Sequence, residues 1–84
     1  MPEISRFYGI TIKMYFLSSE HNPPHIHATY NKNIAVIDIQ TLEVIEGEIP
    51  KRALKLVKEW ILIHKNEIKE IWKTQKFKRI DPLK

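Results

Sequence analysis

Three of the four histidines in this sequence lie within seven residues, at His21, His25 and His27. Pro23 and Pro24 stand directly before His25. Because proline fixes φ and disfavours helix in the residue ahead of it, they predict a stiff, extended approach to the histidines. In a β-strand every second side chain points to the same face, so His25 and His27 would lie side by side. We expect this stretch to carry any chemistry that the protein performs.

Two histidines on one face suit acid–base chemistry near neutral pH. A ribonuclease that works without a metal needs a base for the 2′-hydroxyl, an acid for the leaving oxygen and a cation near the phosphate. His25 and His27 would act as acid and base, and Lys13, on the same predicted face, would stabilise the phosphate. Tyr15 and Thr29 would share that face. The competing interpretation is an ordinary polar sheet face without catalytic function.

Metal binding is the second kind of chemistry that the histidines allow. His21, His25 and His27 would supply three imidazoles and leave an open position, as in catalytic zinc sites. The spacing is only moderately specific, because His21 must fold back from a proline-stiffened loop. The sequence contains no cysteine, which excludes thiolate sites. We expect no metal or other cofactor and keep a small histidine metal-binding protein as an alternative.

A small antiparallel sheet would position the histidines. Residues 10–16 alternate strictly between apolar and polar side chains, which predicts a strand with Ile10 and Ile12 facing a core. Asparagines in the turn at 31–33 predict a hairpin. The predicted strands are residues 10–16, 25–30 and 34–40, with a weaker one at 42–46, and residues 17–24 form a loop.

One long helix is predicted after the sheet. Residues 51 to about 74 contain no Pro or Gly, and Pro50 suits a first helical turn. The helical period gathers an apolar stripe that would cover the sheet: Ala53, Leu54, Val57, Trp60, Ile61, Ile68, Ile71 and Trp72. His64 falls in the middle of this stripe. It is either a buried core histidine or a further catalytic residue that reaches His25 and His27 at the sheet edge.

Positive charge is concentrated in the last third of the sequence. The net charge is +4, yet residues 1–50 carry three bases and six acids, whereas residues 51–84 carry eleven bases and four acids. On one flank of the predicted helix lies a lysine ridge, made of Lys51, Lys55, Lys58, Lys65, Lys69 and Lys73. Such a ridge suits the phosphates of RNA or DNA, although a solvated face or a surface for an acidic protein explains it equally.

Length and composition predict a single α+β domain over residues 1–84. It would hold a small antiparallel sheet of three to five strands at 1–49, one long C-terminal helix at 50–75 packed against the sheet, and a basic tail at 76–84. No apolar run approaches the roughly 20 residues of a membrane span. A small secreted domain would usually carry disulfides. We expect a soluble cytoplasmic protein with no membrane association.

Several motifs match one known family. They are MPEISRFYGI at 1–10, NPPHIHA at 22–28, DI at 38–39, LEVIEG at 42–47, Pro50 with Arg52, Ala53 and Leu54, and Glu59 and Trp60 with His64 and Trp72. Through them the chain resembles, over nearly its whole length, the prokaryotic domain-of-unknown-function family numbered 4160. The resemblance implies one component of a two-gene module of toxin–antitoxin type, encoded beside another short protein. The family is expected to have an acidic helix end, whereas this chain has basic residues there: Lys69, Lys73, Lys76, Lys78 and Arg79. This departure favours the interpretation that the lysine ridge is a local feature of this protein.

Two classes of function follow from these observations. The leading hypothesis is a module component that contacts nucleic acid and cleaves RNA with His25, His27, Lys13 and His64. The alternative is a non-catalytic protein that holds an acidic partner with its basic helix and tail. Leu56 and Ile63, outside the apolar stripe, favour a contact with a small protein encoded nearby or with a second copy.

Overall fold

The computed structural model describes residues 3–14 and 24–84. Within these residues the chain forms an antiparallel sheet of five strands whose order in the sheet equals their order in the chain, followed by two helices. The elements are β1 (Glu3–Phe7), β2 (Ile10–Lys13), β3 (His25–Tyr30), β4 (Asn33–Asp38), β5 (Val44–Gly47), α1 (Lys51–Ile63) and α2 (Lys65–Thr74). The predicted α+β class is confirmed. Neither helix of the described part is long and apolar enough to cross a membrane.

The alternation of side chains along β2 and β3 divides the sheet into two faces, as predicted. Ile10, Ile12, Ile26 and Ala28 are fully buried in the core, whereas Lys13 and the two histidines of β3 are only half-buried. Residues 15 and 16 of the predicted strand and residues 17–23 of the predicted loop lie outside the described residues. β1, which was not predicted as a strand, pairs with β2 and extends the core face through Ile4.

The prediction of one long helix is wrong, because the helix breaks at His64. The backbone there has φ −109° and ψ 22°, far from the ψ of about −42° in an α-helix. The His64 amide still donates to Trp60 O at 3.0 Å. Ile63, which is β-branched, and the adjacent His64 are both weak helix formers. Glu67 is the third residue of α2, and its Oε1 lies 3.1 Å from Nδ1 of His64, from which it accepts a hydrogen bond. A carboxylate in the first turn also interacts favourably with the helix dipole, which favours the start of a new helix here.

Both helices contribute buried side chains to the core on one face of the sheet. Val57, Trp60, Ile61, Ile68 and Ile71 are buried in one cluster with the apolar side chains of β2, β3 and β4. The predicted apolar stripe therefore survives the break. The opposite face, which carries the histidine pair, is not the face on which the helices build the core.

The C-terminal tail packs against β1 instead of extending into solvent. Ile80 is 3% exposed, and its amide donates to Ile4 O at 2.7 Å. The indole Nε1 of Trp60 donates to Asp81 O at 2.9 Å, and the Arg79 guanidinium lies 2.8 Å from the Glu3 carboxylate. The tail thus covers the β1 edge and closes one end of the core.

Candidate functional site

The two histidines of β3 lie next to each other on the face away from the core. Their ring centroids are 5.4 Å apart and their planes are inclined by 61°. Both side chains are half-buried, and they alternate along the strand with the fully buried Ile26 and Ala28. A strand holds alternate side chains at fixed spacing, so two titratable groups are fixed here by the backbone itself.

A row of side chains crosses the sheet through His27. Lys13 of β2 pairs with His27 in register, Val36 of β4 follows on the other side, and Glu46 of β5 comes next. Directly opposite residues of an antiparallel pair share a face. A cation therefore stands on one side of His27 and a carboxylate two strands away on the other.

The surroundings of His27 lower its pKa below the ordinary 6.5, mainly because burial disfavours the charged ring. The positive charge of His25 lowers the pKa further, and the carboxylate of Glu46 opposes the shift. Near neutral pH, His27 is therefore an uncharged imidazole. A neutral base beside a potential acid is the arrangement that general acid–base catalysis requires.

Trp72 in the last turns of α2 reaches the same site. Its ring meets that of His25 edge to face, with centroids 5.0 Å apart. By the helical period, Trp72 lies at the margin of the apolar stripe, between the buried Ile68 and the solvent-facing Lys69. The sequence pattern assigned Trp72 only to the core. Its position at the margin of the stripe was the signal that its side chain could contact a residue outside the core.

Asp38 stands opposite His25 in register, but its carboxylate is engaged locally. Oδ1 accepts from the amides of Gln40 at 2.7 Å and Thr41 at 3.1 Å, which ends β4 in a turn. Asp38 therefore shapes the chain beside the site. Glu46 is the acid whose field reaches His27.

His64 lies in a different cluster. Its ring packs against Trp60, with centroids 5.6 Å apart, and its Nδ1 pairs with Glu67. Along α2, His64 precedes Trp72 by eight residues, or about 12 Å of helix. The structure thus brings together His25, His27 and Lys13 and sets His64 apart from them.

The predicted metal ligands can be placed only in part, because His21 lies outside the described residues. Within residues 3–14 and 24–84, no group of three or more His, Asp or Glu side chains is close enough to hold a metal ion. His25 and His27 would therefore need a third ligand from elsewhere in the chain.

The lysine ridge is split by the helix break. Lys51, Lys55 and Lys58 lie on α1, and Lys65, Lys69 and Lys73 lie on α2. All six are exposed or half-exposed, and no carboxylate of the described part lies within ion-pairing distance of them. On α2 the lysines occupy the flank next to Trp72, roughly 20° to 100° around the helix from it. The α2 half of the ridge therefore lies on the same flank of α2 as Trp72, whose ring contacts His25.

Comparison with known proteins identifies a family but no activity. A family model described as a domain of unknown function, DUF4160, matches residues 9–73. This range includes β2, the histidine pair, the helix break and Trp72. Searches among curated proteins and among solved structures found no match. The match covers most of the sequence, and the chain therefore belongs to the DUF4160 family.

Proposed function

We propose that this protein is the nucleic-acid-contacting component of a toxin–antitoxin-like two-gene module and that it cleaves RNA without a metal. The observation that carries the proposal is the histidine pair, with ring centroids 5.4 Å apart and Lys13 opposite His27 on the same face. Acid, base and cation are the three groups that cleavage at a 2′-hydroxyl requires. The toxin–antitoxin part rests on the family resemblance.

In the proposed reaction, neutral His27 accepts the proton of the 2′-hydroxyl. The 2′-oxygen attacks the adjacent phosphorus, and the bond from phosphorus to the 5′-oxygen of the next nucleotide breaks. His25 donates a proton to that leaving oxygen. The products are a 2′,3′-cyclic phosphate and a 5′-hydroxyl end. The Lys13 ammonium stabilises the charge that develops on the phosphate oxygens. The lowered pKa of His27 supports its assignment as the base.

The lysine ridge would hold the RNA strand. Its α2 half, Lys65, Lys69 and Lys73, lies on the same flank of α2 as Trp72, whose ring contacts His25, so a strand bound there would pass the proposed catalytic groups. Binding through phosphates weakens with salt. If all six lysines contact a single strand, the slope of log affinity against log salt is about −4. A flat salt response would contradict this track.

The test of catalysis uses an unstructured RNA in the presence of EDTA. Wild-type protein should yield 2′,3′-cyclic phosphate ends, and His25→Ala or His27→Ala should lower the rate about 100-fold or more. Lys13→Ala should also slow cleavage, whereas Lys32→Ala, which removes an exposed lysine of the β3–β4 turn, is the matched control. Equal cleavage by wild type and the double histidine variant, or none by either, would refute the proposal.

A second candidate function is supported by an apolar patch on the outer side of α1. Leu54 and the 59% exposed Leu62 line a shallow depression of about 320 Å³ together with three ammonium groups, of Lys51, Lys55 and Lys58, and one carboxylate, of Glu59. Apolar side chains beside this excess of positive charge suit an acidic amphipathic helix of a partner protein. The candidate partner is a small protein encoded nearby, as the family resemblance implies. Leu62→Asp should abolish its binding, while Ile45→Asp on β5 should not. Equal binding by both variants would contradict this function.

A further inference from the structure

A groove opens at the end of the sheet opposite the histidine pair. It lies between the β1–β2 turn, the end of β3 and the first turns of α1, and its volume is about 430 Å³. His25 begins β3 and Tyr30 ends it, so the two ends are separated by about 17 Å at the usual strand rise. The volume lies within the range of small-ligand sites.

Two tyrosines, Tyr8 and Tyr30, line the groove. Tyr8 is 60% exposed and lies at the rim, in the β1–β2 turn, where its φ is 48°. Tyr30 packs over the backbone of Gly9, where an added Cβ would lie 3.5 Å from the ring. The buried Ile10 and half-buried Leu56 complete an apolar floor. Such a lining suits a planar ring that stacks on an aromatic side chain.

Arg52 adds a cation to the same groove. Its side chain lines the groove in the first turn of α1 and is exposed. In the described part of the chain, Arg6 and Arg79 each pair with Glu3 at 2.8 Å, whereas no carboxylate lies within ion-pairing distance of Arg52. A guanidinium that no described carboxylate neutralises suits a phosphate group, which it can bind through two parallel hydrogen bonds.

We propose that this groove binds one unpaired nucleotide of an RNA strand, with the base against Tyr8 and Tyr30 and the phosphate on Arg52. RNA as the ligand rests on the proposed function. The groove itself is independent of the histidine pair, so it would set which RNA is held and where, without taking part in cleavage. Unpaired bases are the part of RNA that aromatic side chains recognise.

The first experiment compares AMP with adenosine by NMR titration of the intact protein. Both should shift the amide signals of Tyr8, Gly9 and Arg52, and AMP should bind more tightly. Arg52→Gln should remove an AMP advantage of about fivefold, as expected for an exposed ion pair, and leave adenosine binding unchanged. Tyr8→Ala should weaken both ligands, and Tyr8→Phe should restore them, because the phenyl ring keeps the stacking surface. No shift at these amides, or equal affinity for AMP and adenosine, would overturn the assignment of a nucleotide site.

The second experiment measures binding of a short 2′-O-methyl RNA, which cannot be cleaved because its 2′-oxygen carries no proton. Tyr8→Ala and Arg52→Gln should each weaken binding about tenfold, while Lys76→Gln, with the same loss of charge on the exposed tail, should have little effect. If AMP binds but the RNA affinity of Tyr8→Ala equals that of wild type, the groove is a site for free nucleotides and the RNA assignment fails. Both experiments measure binding, so loss of cleavage in the histidine variants leaves their outcome unaffected.

Discussion

The ring of Trp72 meets the ring of His25 edge to face, with centroids 5.0 Å apart. One residue belongs to the last turns of α2 and the other begins β3, so this contact joins the helix layer to the sheet face that carries the histidine pair. Trp72 also packs against the core cluster. The orientation of His25 therefore depends on the docking of α2, which also sets the position of the α2 lysines.

Replacing Trp72 should affect the proposed chemistry through the position of His25. In Trp72→Ala the imidazole loses its aromatic neighbour, and we expect kcat to fall about tenfold with a smaller change in KM, because an orienting contact acts on the reacting geometry. Trp72→Phe should restore most of the rate. Steady-state kinetics and the NMR signals of the His25 ring measure this, with unfolding curves as a control for stability. A loss of rate that follows stability alone in both variants would show that Trp72 is merely structural.

The lowered pKa of His27 predicts a pH-dependent stability. The folded protein disfavours protonated His27, so the unfolded chain binds more protons and stability rises with pH. The contribution of His27 should be fully present above its ordinary pKa of 6.5 and decrease as the pH falls through the lowered folded value. Urea unfolding across this window should show the slope. His27→Gln should flatten it.

The charges that face His27 provide a second check on the same shift. Lys13 from β2, His25 from its own strand and Glu46 from β5 share its face. His25→Ala removes a charge that lowers the pKa of His27, and the pKa of His27 should therefore rise in this variant. Glu46→Gln removes a charge that raises the pKa of His27 and should lower it further. An NMR titration of the His27 ring decides this. Shifts in the opposite directions would exclude the electrostatic account.

Much of the site could be predicted from local periodicity. Strand β3 covers the predicted residues 25–30, and its alternation separates the histidines from Ile26 and Ala28 as expected. A period of two is a property of the backbone, and it holds wherever one face of a strand is buried. The apolar stripe of the two helices was predicted correctly because the helical period of 3.6 residues is likewise a property of the backbone.

The remaining features depend on specific contacts, which are local at His64 and join distant parts of the chain in the other two cases. The break at His64 follows from its pairing with Glu67 and its packing on Trp60, which a count of helix formers does not include. The contact of Trp72 with His25 depends on where α2 docks. The sequence indicates only a basic tail at 76–84, whereas its contact with Ile4 is a tertiary contact. Propensity alone determines none of these.

The C-terminal tail should stabilise the fold mainly through Ile80. This side chain is 3% exposed beside the core, so Ile80→Ala should lower the free energy of unfolding by about 2 to 4 kcal/mol. Arg79 pairs with Glu3 at the surface, and Arg79→Ala should cost less than about 1 kcal/mol. Urea denaturation measures both. Equal losses would mean that the tail is held by charge and not by burial.

Gly47 should be the less replaceable of the two glycines with positive φ in the described residues. Gly9 has φ 78° and Gly47 has φ 73°, so alanine at either position pays a similar conformational cost of about 1 to 2 kcal/mol. At Gly9 the new Cβ would touch only the ring of Tyr30, which can move. At Gly47 it would overlap the carbonyl oxygen of Ile34, which belongs to the β4 backbone. Gly47→Ala should therefore lower the free energy of unfolding by at least twice as much as Gly9→Ala, and weaken hydrogen-exchange protection along β5. Equal destabilisation would show that β5 can shift away from β4 at little cost.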